Sequence, residues 1–184
     1  MHRALLVSLA LSGLCLGASD PSETQPQQPK RTCSRAHEHA FGGSVQVLIP
    51  TKELGTALDD RTGLGMGLQW LHEGEGPWSS RTRLEWNVFP QSHPVGPSGI
   101  ETSVQQYLLG FDRLYRLGTS PQSLYLLGGV AATRWFVEEE GPGMHHRFHT
   151  TKLTVTGGLG WRFSKAFALE GRYTLSRITH AQEA

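Results

Sequence analysis

Between positions 149 and 175 the side chains sort by every second residue into two different surfaces. The odd positions carry His149, Thr151, Leu153, Val155, Gly157, Leu159, Trp161 and Phe163, then Phe167, Leu169, Gly171, Tyr173 and Leu175. The even positions carry Thr150, Lys152, Thr154, Thr156, Gly158, Gly160 and Arg162, then Ala168, Glu170, Arg172, Thr174 and Ser176. A strand sends successive side chains to opposite faces, so this period predicts two strands, each with one apolar and one polar face. A water-soluble sheet would turn its apolar face inward. Here the polar face mixes glycine with charge, which suits a narrow interior, and the apolar face ends in aromatics. The pattern predicts strands whose apolar side meets lipid.

Five earlier segments alternate in the same way. In 41–49, Phe41, Val45, Val47 and Ile49 oppose Ser44 and Gln46; in 64–72, Leu64, Met66, Leu68 and Trp70 oppose Gly65, Gly67 and Gln69. Segment 82–89 sets Leu84, Trp86 and Val88 against Arg83, Glu85 and Asn87, with Arg81 just before it. In 106–117, Tyr107, Leu109, Phe111 and Tyr115 oppose Gln106, Gly110, Asp112 and Arg116, with Arg113, Leu108 and Leu114 blurring the separation. Segment 124–137 is apolar on both faces as far as Arg134. With 149–163 and 166–177, this makes seven predicted strands.

The connections alternate as well. Stretches 50–63, 90–103 and 138–148 are long, whereas 73–80, 118–123 and 164–165 are short. That alternation is expected of an up-and-down meander inserted from one side of a membrane. Aromatics concentrate near predicted strand ends: Trp70, Phe89, Tyr115, Tyr125, Trp135, Trp161, Phe163 and Phe167 are read as interfacial girdles. The 22 glycines and ten prolines punctuate every segment too often for a substantial helix.

Composition sets outer bounds. A formal net charge of +1 excludes a strongly basic nucleic-acid binder, and 184 residues fit one domain. No apolar run of 18 residues follows the N-terminus, so no transmembrane helix is expected, but barrel strands need only about 9–11 residues each. Residues 1–18 read as an export signal: Arg3 opens a short basic region, 4–16 are apolar, and Gly17 and Ala18 offer a cleavage point. Residues 19–38 are nearly devoid of apolar side chains and read as a flexible leader, leaving 39–184 as the barrel domain. Once a signal is removed Cys33 is the only cysteine, so no internal disulfide can form.

These features together, with segments such as Leu109-Gly110-Phe111-Asp112 and the run from Gly157 to Phe163, resemble the small outer-membrane β-barrels of the OmpA/OmpX type. The resemblance spans about residues 40–178. It implies an all-β, antiparallel up-and-down membrane β-barrel of the eight-stranded type, located in the outer membrane. It also implies outer-membrane lipid and lipopolysaccharide as surroundings, the barrel-assembly machinery as a partner during insertion, and no cofactor. Seven strands are one short. Truncation at the C-terminal end, a strand from a partner, or pairing by the leader would each supply the eighth, and truncation is the favoured expectation.

The predicted interior carries Arg81, Arg83, Glu85, Asp112, Arg134, Lys152, Arg162, Glu170 and Arg172. Eight strands enclose only enough room for side chains, so these residues are expected to form an internal salt-bridge network. Six bases against three acids leave an excess of three positive charges. The 138–149 stretch is read as a solvated outer loop, because Gly141-Pro142-Gly143 breaks the helix that His145 and His149 would need to chelate a metal. His37-Glu38-His39 is treated alike, so no metal site is expected.

The function expected is non-catalytic: structural, adhesive or small-solute, carried by the loops. One alternative is a lipid A-modifying barrel enzyme, for which His72 with Ser79 or Ser80, or His93 with Ser92, are the candidate pairs. No nucleophile-elbow motif supports them. The other alternative is a soluble periplasmic lipid-binding barrel whose apolar face lines a cavity.

Overall fold

A computed structural model describes residues 2–16, 38–51, 61–74, 76–90, 101–120, 122–164 and 166–178. The architecture is a closed barrel of eight antiparallel strands: β1 (His2–Leu16), β2 (Glu38–Thr51), β3 (Gly63–Glu73), β4 (Trp78–Phe89), β5 (Glu101–Arg116), β6 (Ser123–Gly141), β7 (Met144–Arg162) and β8 (Phe167–Ile178). Each strand pairs with its sequence neighbour, and β1 closes the cylinder against β8.

The count of seven strands is corrected to eight. The added strand is made by residues read as an export signal. β1 pairs with β2 from Leu5↔Thr51 to Leu16↔Ala40, and with β8 from His2↔Ile178 to Gly13↔Phe167. Its sequence supports this, because Leu9 and Leu11 face outward while Ser8, Ala10 and Ser12 are buried. An unbroken apolar stretch hid that alternation, since the inward positions are small rather than charged. The gap that truncation or a partner strand was expected to explain is therefore filled within the chain. Residues 19–37 of the 19–38 leader, with Cys33 and His37, and the Ser92–His93 pair lie outside the described residues.

Facing decides between lipid and cavity. Val45 (66% exposed), Leu64 (63%) and Leu153 (74%) lie on the outer wall, where Leu84, Phe111, Val130 and Tyr173 are likewise exposed. The soluble alternative, with the apolar strand faces lining a cavity, is overturned by this arrangement. Two aromatic groups bound the apolar band. At the short-turn end the Trp78 ring lies tilted against Tyr115 (4.8 Å between centroids) and Phe163 stacks on Phe167 at 6.2 Å. At the other end Tyr107 sits 6.5 Å from Trp86 and 5.5 Å from Phe136. Three expected girdle members are corrected: Phe89, Tyr125 and Trp135 point inward and are buried. Each occupies the inward parity of its own strand, which outweighs its closeness to a strand end.

The third long loop is also corrected. β6 and β7 run on to Gly141 and Met144, joined by a turn at Pro142 and Gly143 in which Gly143 takes a φ of +80° that side-chain-bearing residues avoid. Acidic side chains face basic or imidazole ones along this tall hairpin: Glu138↔Arg147, Glu139↔His146 and Glu140↔His145. By the antiparallel order, His2 and Ile178 lie at the same end as the hairpin tip, and the short turns lie at the other.

Candidate functional site

The inward residues of the strands stack in layers along the barrel axis. Near the short-turn end Ala40, Leu71, Leu114, Tyr125, Leu127 and Ala168 form an apolar cluster, and near the tall end Leu48, Phe89, Val104 and Trp135 form another. Polar groups occupy the length between them.

β4 alternates Arg81, Arg83 and Glu85 inward, β5 contributes Asp112, and β8 contributes Glu170 and Arg172. These six side chains close a ring of alternating charge. Asp112 Oδ2 accepts from Arg81 Nη2 at 2.8 Å and from Arg83 Nε at 2.9 Å. Arg83 Nη1 reaches Glu85 Oε1 at 2.8 Å, Glu85 pairs with Arg172, and Arg172 Nε donates to Glu170 Oε2 at 2.7 Å. Arg81 closes the circuit through a fork on Glu170, its Nη2 donating to Oε2 at 3.1 Å. Every carboxylate thus receives two arginines, and every arginine meets two carboxylates. All six side chains are 5% exposed or less, a burial that ions tolerate only when paired, and within the ring Arg81 Nε and Asp112 Oδ1 are buried without a hydrogen-bond partner of their own among the described residues.

Neutral groups finish the ring. The Tyr125 hydroxyl donates to Glu170 at 2.6 Å, Arg83 Nη2 donates to Thr156 Oγ1 at 3.1 Å, and Arg81 Nη1 donates to Gln69 Oε1 at 3.2 Å. Towards the tall end an amide relay runs from Gln46 to Asn87 (2.6 Å) and on to Gln106 (2.7 Å). Glycine makes the room. A Cβ on Gly160 would lie 2.2 Å from the Tyr125 ring, and one on Gly129 would lie 2.3 Å from Asp112 Oδ1.

Three members of the expected interior set stand apart from the ring. Arg134 is exposed on the outer wall, so its inward placement is corrected; β6 is apolar on both faces and its parity was ambiguous. Arg162 is at the short-turn mouth, donating to Glu73 Oε1 at 2.6 Å, with Arg116 3.6 Å from the same oxygen. Lys152 is half-buried on the inward side of β7. The ring by itself balances, with three arginines against three carboxylates; of the expected positive excess only Arg134 leaves the interior, while Lys152 stays on the inward side and Arg162 pairs with Glu73.

Sequence reasoning missed Tyr125, Gln69 and Thr156 as ring partners. It also missed the outer patch around Arg134. In the suggested hydrolytic pairs, Ser79 is buried inward while His72 faces outward, so those two cannot meet. Ser80 does lie opposite His72 in the register, and His72 Nδ1 is 3.1 Å from His39 Nδ1. No cluster of three metal-ligating side chains occurs among the described residues.

No known protein family matches this chain, and no curated protein does. Among solved structures it is similar to Ail, the attachment invasion locus protein of Yersinia pestis, at 12% identity and a TM-score of 0.47, covering 95% of this chain and 94% of that one. A second structure of Ail, in complex with the heparin analogue sucrose octasulfate, gives 10% identity and a TM-score of 0.46 over the same shares.

Proposed function

We propose that this chain is a non-catalytic barrel of a bacterial outer membrane, with a sealed interior, acting through the surface its tall end presents. The outward apolar wall on a closed cylinder is the observation that carries this reading. Backbone groups in lipid must be satisfied internally, and closure does that for every strand. The neutral ion ring between two apolar clusters argues for a sealed interior, because a conducting path would need hydrated polar walls from mouth to mouth. The extension of β5, β6 and β7 beyond the apolar band at the tall end favours that end as the outward one. Its charged hairpin suits adhesive contact.

Detergent extraction followed by electrophoresis with and without boiling tests the reading. A folded, faster-migrating form that converts on heating is expected. A chain recovered in the aqueous fraction with no heat-dependent shift would sink it. The register of His72 with Ser80 favours a second reading, a lipid A-modifying enzyme. An Ser80→Ala variant with an unaltered lipid A mass profile would eliminate that alternative.

A further inference from the structure

We propose that the outer face of β5, β6 and β7, at the tall edge of the apolar band, binds the phosphorylated headgroup of an outer-leaflet glycolipid. The inference rests on the membrane reading above and names a partner for one part of its surface. The register lays nine side chains out in three rows across the strands. Tyr107, Arg134 and Thr151 form the lowest row, Gln105, Phe136 and His149 the next, and Ser103, Glu138 and Arg147 the third. A hollow of about 440 Å³ opens among them, lined by Tyr107, Arg134, Phe136, Glu138, Arg147 and His149 with their neighbours.

Charge and position select the ligand. Among the residues lining the hollow, Arg134 and Arg147 face one carboxylate, Glu138, which is already shared by Arg147 at 2.9 Å and His145 at 3.4 Å; the His149 ring adds a further hydrogen-bonding group. Arg134 is exposed and has no carboxylate partner among the described residues; its guanidinium lies 5.0 Å from the Phe136 ring centroid. An arginine held over an aromatic face keeps its donors directed outward, a suitable arrangement for a phosphate. Immediately towards the barrel waist the rows become Leu109, Ala132, Leu153 and then Phe111, Val130, Val155. Small Ala132 between two leucines leaves a shallow track for an acyl chain directly beneath the cations. The row nearer the tip, Glu101, Glu140 and His145, carries acidic charge and marks the upper limit of the site. A soluble anion would have no use for the apolar track. A phosphorylated lipid uses both parts.

The test uses the full chain folded in detergent, with heat-modifiable migration confirming the fold of each variant. Bis-phosphorylated lipid A or the same lipid after dephosphorylation is added, and bound lipid is counted by native mass spectrometry. The phosphorylated form is expected to be retained preferentially. Combining Arg134→Gln with Arg147→Gln is expected to weaken retention about tenfold or more, the scale of lost charge-assisted hydrogen bonds. Arg113→Gln, on the outer wall near the short turns, is expected to change nothing. Equal retention of both lipids, or an unaffected double variant with its folded band intact, overturns the inference alone. Displacement by millimolar inorganic phosphate overturns the lipid assignment in favour of a simple anion site. Absence of a folded band in every variant and the parent overturns the membrane reading, and the inference with it.

Discussion

The ring at the barrel waist and the hairpin above it use the same chemistry at nearly the same distances. Arg81 meets Asp112 at 2.8 Å with side chains 3% and 0% exposed; Arg147 meets Glu138 at 2.9 Å with side chains 67% and 36% exposed. Geometry does not distinguish these pairs. Surroundings do. In the ring each ion has lost its water, and only the closed circuit compensates for it, so removing one member strands the others. On the hairpin, water and salt screen the pair, and two long side chains lose freedom to make it. Identical contacts therefore differ in consequence: the ring ties β4, β5 and β8 together across the interior, while the hairpin leaves its charges open to solvent.

The largest break in this contrast comes from opening the barrel. β1 contributes no charge to the ring, yet it walls off one side of it. Refolding into detergent a chain that lacks residues 2–16 exposes the edges of β2 and β8, and several unpaired backbone groups in lipid cost several kcal/mol each. The heat-modifiable band is expected to disappear. An intact mass measurement on membrane-extracted protein gives the complementary result: a folded, heat-modifiable protein without this segment would show that β1 is not the closing strand.

The next effect is smaller and more local. Arg81→Met leaves Asp112 and Glu170 each short of one arginine in a dry interior. The expected loss is about 3–5 kcal/mol, read as a lowered urea midpoint by tryptophan fluorescence in phospholipid vesicles. A loss below about 1 kcal/mol would mean that water reaches the ring, and its pairs would then belong with those of the hairpin.

How much of this was legible follows from parity. Segments 82–89 and 166–177 separate cleanly, so Arg83, Glu85, Glu170 and Arg172 were assignable to the inner wall from residue type alone. β6 is apolar on both faces, and there the inference failed: Arg134 was turned inward, and Trp135 was assigned to a girdle. β1 escaped notice for a related reason, because small inward residues beside leucines also fit the apolar core of an export signal. The hairpin was hidden by composition. Three glutamates before Pro142 and His145-His146-Arg147 after it resemble a solvated loop until they are paired across a turn. No rule of period two could reveal the ring itself, because its members come from β4, β5 and β8, which only closure brings together.

The smallest effect is the most discriminating. Arg147→Ala removes the hydrogen bond from Arg147 Nη2 to Glu138 Oε1 at 2.9 Å, yet Glu138 retains His145 nearby and stays open to solvent. The expected change in unfolding free energy is about 0.5 kcal/mol or less, and it should shrink further in high salt. The same urea titration used for Arg81→Met supplies the measurement, so the two values are compared directly. A loss of 2 kcal/mol or more, by roughly the threshold for a desolvated pair, would show the hairpin to be packed rather than hydrated. Its charges would then be structural, and the case for a surface that waits for a partner would pass from the hairpin tip to the rows below it, where Arg134 has no carboxylate partner among the described residues.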